Sequence, residues 1–369
     1  MSTPPPPGPP PAPLTDFAPP APPKSAVDAL GPAWEHTKAV LFSPFSAGKW
    51  LKLGFIAWLA GVVAGGGSGG GGNYGGSGGG PGGPGGGDPG QVWSQIVDWY
   101  HAHAASVLLG GAAVVVFLVG FSLVMLYVSS MFRFIFLESV ITNETRIRES
   151  WRRNRAEGAS FFWWQLGFGL LSFLIFAVVV GLPTALIVLS LANRSGGPPG
   201  GASIAGMVGV GLVALFLLIL VAIVLGLISA ITRDFVLPLM YTRRIRVLEA
   251  WGQCRRILSE NKGGFVVYFL MKIVATFVSG IAGMILALGG LLVACIPLGI
   301  LAGSGYLIVQ AVGIDSWSWS YLWGIIPVGI VVIVALSYWI TCWVLPIPVW
   351  FQSYALKYLG YVEPSAATI

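Results

Sequence analysis

The chain has 369 residues, 55% of them hydrophobic and only 9% charged, with a net charge of +6 and a mean hydropathy of +0.81. A soluble domain carries about 25% charged residues, so this balance excludes an ordinary soluble enzyme or binding module and points to a polytopic membrane protein. The basic residues stand beside apolar runs rather than on a soluble face, which argues for anionic lipid head groups as partners and against nucleic acid.

The first 24 residues are Pro-rich, with neither the basic start nor the apolar stretch of a signal peptide. They predict an extended, disordered cytoplasmic tail, either simply solvated or docking a protein partner. Ser25 and Asp28 have the spacing of a helix N-cap pair. Val27, Leu30, Trp34, Leu41 and Phe45 then recur at helical spacing, predicting an amphipathic helix on the membrane surface that ends near Ser43-Pro44.

A first span is expected over Trp50–Ala64, short against the about 20 apolar residues that a bilayer requires. Residues 65–90 form a glycine tract that reads as a flexible linker. Gln91–His103 is a short amphipathic piece. The second span is expected over Ala105–Val128, continuing towards Phe136, followed by a basic segment at 138–160. The third covers Phe161–Val180, with Pro183 kinking or ending it. After a turn-rich loop at 193–203, the fourth span covers Ile204–Ile231. A second basic segment, 233–263, carries Tyr241, Ile245, Leu248, Trp251 or Cys254, and Leu258 on one stripe. The fifth span covers Phe265–Ile296, interrupted at Pro297 and the glycines that follow. Residues 315–323 have the aromatic density of an interface belt, and the sixth span covers Trp323–Leu345.

The basic segments repeat at an offset of 100 residues: Arg133, Leu137, Arg146, Glu149, Trp151 and Arg155 recur as Arg233, Leu237, Arg246, Glu249, Trp251 and Arg255. A weaker third copy opens at Ala33-Trp34. Internal repeats decide architecture before local detail does. The fold class that follows is all-α: a polytopic bundle of about six transmembrane helices in three hairpins, roughly 50–136, 161–231 and 265–345, with amphipathic interfacial helices. One integral membrane domain is expected over 25–360, with a short tail at 361–369. Most of the twenty lysines and arginines lie outside the hairpin tips and spans, so both termini and the basic segments are expected in the cytoplasm.

No chemistry stands out. Cys254, Cys295 and Cys342 are far apart and lack CxxC spacing, so they read as buried thiols. GxSxG occurs at Gly66–Gly70 and Gly75–Gly79 only because the tract is glycine, without the strand and helix that a nucleophile elbow needs. Asp98, His101, His103 and His36 do not supply the three or four convergent ligands of a metal site. No catalytic residue, cofactor or metal is therefore expected.

Three groups of candidate site residues remain. Arg152, Arg153, Arg155, Arg243, Arg244, Arg255 and Arg256 either hold anionic lipid or only set topology. Trp34, Trp151 and Trp251 read as interfacial anchors. Lys272 is the intramembrane charge: a transport or gating group, or a lysine that snorkels or forms a structural pair with Glu138 or Asp234. Ala275, Ser279, Gly283 and Ala287 stack on its helix as a face for close helix packing. Glu149 is expected to pair with Arg153, and Glu249 with Arg246 or Arg256.

The stretch AWEHTKAVLFSPFSAGKWLKLGFIAWLAG at 33–61, followed by the glycine tract and by RFIFLE, ESWRRNR and FWWQLGFGL, resembles an uncharacterised family of bacterial multi-pass inner-membrane proteins. The repeated plan of span, Leu-Pro and basic helix, seen at Leu237-Pro238 and Leu345-Pro346 with Glu138 in place of the third proline, is distantly similar to the membrane domain of some glycerophosphodiester phosphodiesterases. That resemblance implies an inner-membrane location and brings no catalytic residue. The expected function is a non-enzymatic membrane protein that organises or senses the membrane through basic helices on anionic lipid. The alternative is a small-substrate transporter or channel using the helix face around Lys272. Oligomeric state is not legible.

Overall fold

The computed structural model of the chain describes residues 25–62, 104–192, 201–312 and 322–364. Every element among them is helical: α1 Leu30–Phe42, α2 Ala47–Leu59, α3 Ala104–Thr142, α4 Ile147–Arg153, α5 Arg155–Ala192, α6 Gly201–Ile231, a π-helical turn Thr232–Val236, α7 Leu237–Arg243, α8 Val247–Glu260, α9 Lys262–Val312, α10 Leu322–Val344 and α11 Pro346–Val362. The Pro-rich tail, the glycine tract, Asp98, His101, His103 and most of the aromatic belt lie outside the described residues. The expected cap is present: the Ser25 N–H and hydroxyl each donate to the Asp28 carboxylate at 3.0 Å, and the Asp28 N–H returns to Ser25 Oγ at 3.4 Å.

Among the described residues, five helices are long and apolar enough to cross a membrane: Ala104–Thr142, Arg155–Ser190, Ala205–Arg243, Lys262–Leu307 and Ile326–Val344. The first expected span is not among them. α2 has 13 residues, about 20 Å of helix against a hydrocarbon core of about 30 Å. Its end is built from the backbone. Gly61 takes φ +64°, its N–H bonds to Trp58 O at 3.0 Å, and the Val62 N–H bonds to Ala57 O at 3.1 Å. This is a Schellman stop, which glycine enters without a Cβ penalty. The Ala60 carbonyl left at the helix end accepts from Ser129 Oγ at 3.1 Å and from Arg133 Nε at 3.2 Å. Pro183, expected to kink or end the third span, and Pro297, expected to interrupt the fifth, both lie inside continuous helices, α5 and α9. A membrane helix tolerates proline because neighbouring groups re-satisfy the freed carbonyl.

The buried core lies at one end of these helices. It is formed by the last turns of α3 (Phe134, Ile135, Phe136, Leu137), the π turn with α7 (Phe235, Val236, Met240) and α11 (Val349, Tyr354, Tyr358), with Leu53 and Ile56 of α2 beside them. The three terminal segments contact one another, and α4, α8 and α1 lie against them. In the first two units the interfacial helix directly follows its terminal segment. In the third, α1 packs along α11. Small residues dominate the buried side of α1 and the turn before it: Ala26, Ala29, Ala33, Thr37 and Val40 are buried, while Val27 and Trp34 are exposed.

The two long copies differ by one residue. Phe134 meets Phe161 edge-on at 5.8 Å, and Phe235 meets Phe265 in the same way at 4.9 Å. Left-handed residues end both terminal segments, Asn143 at φ 60° and Arg244 at φ 54°. Phe134 and Phe235, like Asn143 and Arg244, are offset by one more residue than Arg133 and Arg233. The π turn absorbs the insertion, as such turns do. The link to the interfacial helix is shorter by the same amount, 245–246 against 144–146.

Candidate functional site

The two basic segments meet in a network whose acceptors, Glu138, Asn154 and Glu157, are buried. Glu138, on the last turns of α3, has a carboxylate that is 4% exposed and accepts from Arg153 at 2.9 Å and from Asn154 Nδ2 at 2.7 Å. Asn154 Oδ1 accepts from Arg244 at 2.7 Å. The same guanidinium donates to the Arg153 carbonyl at 3.3 Å, pairs with buried Glu157 at 3.4 Å, and lies 5.2 Å from the Tyr241 ring centre. Two carboxylates face two guanidiniums, so the cluster is neutral. A buried carboxylate without such partners would be strongly unfavourable. The left-handed conformation of Arg244 turns the chain at the point where its side chain reaches α4 and α5.

A second pair lies deeper. Asp234 sits in the π turn and accepts from the Lys272 ammonium and from the Tyr268 hydroxyl at 3.1 Å. Tyr268 and Lys272 are four apart on α9 and share a face. The Lys272 ammonium also stands 6.0 Å from the Phe351 ring centre. Of the two counter-charges expected for Lys272, Asp234 is the one in contact. The small face of α9 packs closely: a Cβ on Gly283 would meet Ile347 Cδ1 at 3.2 Å and Val344 Cγ1 at 3.8 Å. Further along, Trp339 Nε1 donates to the Gly290 carbonyl at 2.8 Å.

The seven candidate arginines divide. Arg153 and Arg244 pair with the buried carboxylates of Glu138 and Glu157 while remaining partly exposed, 44% and 40%. Arg243 pairs with Glu363 at 2.9 Å and donates to Gln253 at 2.6 Å. Arg256 reaches Glu260 at 4.0 Å. Arg152, Arg155 and Arg255 are exposed and form no ion pair among the described residues. Glu149 pairs with Arg153 at 3.7 Å, as expected, and with Arg146 at 3.5 Å. Glu249 forms no ion pair among the described residues, and Arg256 turns to Glu260 instead. Trp34 is 49% exposed. Trp151 packs edge-on against Phe132 at 5.8 Å, and Trp251 lies 5.6 Å from Trp164. Both half-buried indoles therefore join their interfacial helix to a long one.

With this geometry in hand, the sequence pattern described as "Family of unknown function (DUF7544)" matches residues 24–369. The chain belongs to that family. The match takes in every described helix, including both ion-pair clusters. No curated protein and no solved structure matches the chain.

Several buried polar atoms carry no hydrogen bond among the described residues: Glu157 Oε2, Trp251 Nε1, Gln352 Nε2 and the hydroxyls of Tyr354 and Tyr358. The two tyrosines stack on Tyr268 at 4.9 Å each. Burial holds both phenols above their ordinary range, Tyr358 at about 12. In α1, burial lowers His36 from 6.5, opposed by its bond to the Val140 carbonyl at 3.0 Å and helped by the charge on Lys357. Burial pushes the Cys254 thiol up to about 12. No three of His, Cys, Asp and Glu converge among the described residues.

The residues that sequence reasoning missed are Asn154, Glu157 and Tyr268. For Tyr268 a signal existed, since it stands one helical turn before Lys272. For Asn154 none did, because its partners come from chain segments 16 and 90 residues away.

Proposed function

We propose that this is a non-enzymatic integral protein of the bacterial inner membrane, built to organise or sense the bilayer from its cytoplasmic face. Counted with α2, its arms make six in three hairpins. Both termini and the basic head lie in the cytoplasm, and the arms lie among lipid.

One observation carries this reading: the distribution of burial. None of the most apolar stretch of the first three long helices is buried, and 11% of it in the last two, while the basic end holds a packed core of aromatic and aliphatic side chains. Helices whose apolar surface faces outward are solvated by hydrocarbon, which is as apolar as leucine. The rigid head then presents Arg152, Arg155 and Arg255 to the head-group layer, each contributing about 1 kcal/mol towards an anionic lipid. Arg153, Arg243, Arg244 and Arg256 serve the head's own cohesion as well. Lys272 fits a structural role, because Asp234 neutralises it and Val344 and Ile347 close the small-residue face beyond it.

The test is lipid analysis of the protein purified from native membranes in mild detergent. The wild type retains anionic phospholipid above its share of the bulk membrane. Arg152→Gln/Arg155→Gln/Arg255→Gln brings that share down to the bulk value with an unchanged melting profile. An equal anionic share in wild type and triple variant contradicts the proposal.

A further inference from the structure

Between α2 and α10 runs an open cleft of about 580 Å³, within the about 300–1,000 Å³ typical of ligand sites. On the α2 side it is lined by Lys52, Phe55 and Trp58, spaced to share one helical face. On the α10 side Ile330, Val334 and Tyr338 follow at intervals of four, a ridge about 12 Å long. The polar edges of the aromatics are turned away. Tyr338 donates its hydroxyl to the Leu51 carbonyl at 2.9 Å, and Trp58 donates its indole N–H to Ser337 Oγ at 3.1 Å. The cleft therefore offers ring faces and aliphatic carbon, and Lys52, towards its head end, is the one residue with a formal charge among those that line it.

Lys52 forms no ion pair among the described residues. Its neighbour Lys49 differs: that ammonium donates to the Val40 carbonyl at 2.6 Å and to Asn143. Lys52 stands about one helical turn further towards the spans. The cleft opens sideways onto Ile330 and Val334, which are 56% and 45% exposed within a membrane-length helix. An occupant must be long, apolar and terminated by an anion at the depth of Lys52.

We infer that the cleft is a dedicated phospholipid site, seating one acyl chain between α2 and α10 with an anionic head group on Lys52. The charge complementarity is local: one unpaired cation at one end of an otherwise uncharged slot. A phosphate placed there gains a charge-assisted partner that a zwitterionic choline head group offsets with its own cation. The site rests on the reading of the chain as a membrane protein, and it is separate from the contacts of Arg152, Arg155 and Arg255.

The full chain, reconstituted in nanodiscs, is irradiated with phosphatidylglycerol bearing a diazirine at one acyl-chain end, and in parallel with the phosphatidylcholine analogue. Adducts are mapped by mass spectrometry. Phosphatidylglycerol adducts are expected to concentrate on the peptides containing Phe55, Val334 and Tyr338, at least fivefold over phosphatidylcholine. Lys52→Gln, at an exposed position, abolishes that preference. Val334→Trp, which fills the slot, lowers the adducts at least fivefold, whereas Val213→Trp on another exposed helix face leaves them unchanged. Arg152→Gln/Arg155→Gln/Arg255→Gln leaves the cleft adducts intact, so a failed arginine test and a failed cleft test remain distinguishable. Equal labelling by the two lipids, labelling indifferent to Val334→Trp, or a cleft protected by cross-links to residues 63–103 of the same chain each overturns the inference.

Discussion

Removing Lys272 alone should destabilise the protein more than removing Lys272 and Asp234 together. The two side chains are 20% and 12% exposed, so the full cost of breaking a buried pair, about 3–5 kcal/mol, must be discounted for residual solvation. Lys272→Met leaves the Asp234 carboxylate with the Tyr268 hydroxyl as its one remaining contact. That charge is short and fixed in the π turn, so a cost of about 2–3 kcal/mol is expected. Asp234→Leu leaves a lysine with a long stem that can move its ammonium towards the head groups, and costs about 1 kcal/mol. The double variant, Asp234→Leu/Lys272→Met, carries no orphaned charge and should lie within about 1 kcal/mol of wild type. A coupling energy of about 2–3 kcal/mol follows, measurable by reversible denaturation in mixed micelles across the four-protein cycle. Additive single effects, or a double variant as damaged as Lys272→Met, would refute the structural-pair account. A double variant that is stable yet loses a measurable solute flux would favour the transporter reading instead.

Other consequences are more local. A Cβ on Gly290 would stand 2.8 Å from Trp343 Cγ, whereas Gly280 has nothing within 4 Å. Gly290→Ala should therefore cost about 1–3 kcal/mol by overpacking, while Gly280→Ala should be neutral or stabilising by up to about 1 kcal/mol, both read by the same denaturation assay. His36 is held below its ordinary 6.5 by burial, so protonation favours the unfolded chain. Its contribution is fully present above pH 6.5 and lost as pH falls below it. Melting temperature should drop over that window in wild type, and less so in His36→Gln. Cys254, with its thiol at about 12, has a negligible thiolate fraction at pH 8. It should resist a small maleimide in the folded protein and react on unfolding, as judged by mass shift.

Much of the plan was legible in the sequence, and the parts that were not share physical causes. Long apolar runs bounded by arginine announce membrane-length helices whatever their partners. The Ser25–Asp28 cap is local, and the Lys272–Asp234 contact follows from scarcity, since an intramembrane lysine has few carboxylates to choose from. The buried faces of the interfacial helices were harder. The apolar stripe read on α1 lay towards the membrane, and its Val27 and Trp34 are exposed; the residues buried at α1 and the turn before it are Ala26, Ala29, Ala33 and Thr37, with Val40 and Leu41. On α8 the expected stripe divides: Leu248 is 71% exposed, while Cys254 is buried together with Val247, Ala250 and Ile257. At a membrane surface both faces of a helix can be apolar. Small side chains then win the protein side because they permit close approach, and bulk goes outward.

The end of α2 was invisible for another reason. A Schellman glycine at Gly61 cannot be told from the glycine tract just beyond it. The constant offset of 100 residues hid an insertion and a deletion that cancel, and with them the π turn that carries Asp234. Arg153 and Arg244 read as surface charges because their partners Glu138 and Glu157 lie in other parts of the chain. Pairing at that range is set by tertiary packing and leaves no periodic trace.

The claim beneath all of this is that the packed basic head occupies one side of the membrane and the far ends of the arms the other. Compartment-specific reporters fused after residue 158 and after residue 200 test it directly. The first should be active only in the cytoplasm and the second only outside it; activity of both in one compartment would contradict the hairpin arrangement and the lipid contacts assigned from it.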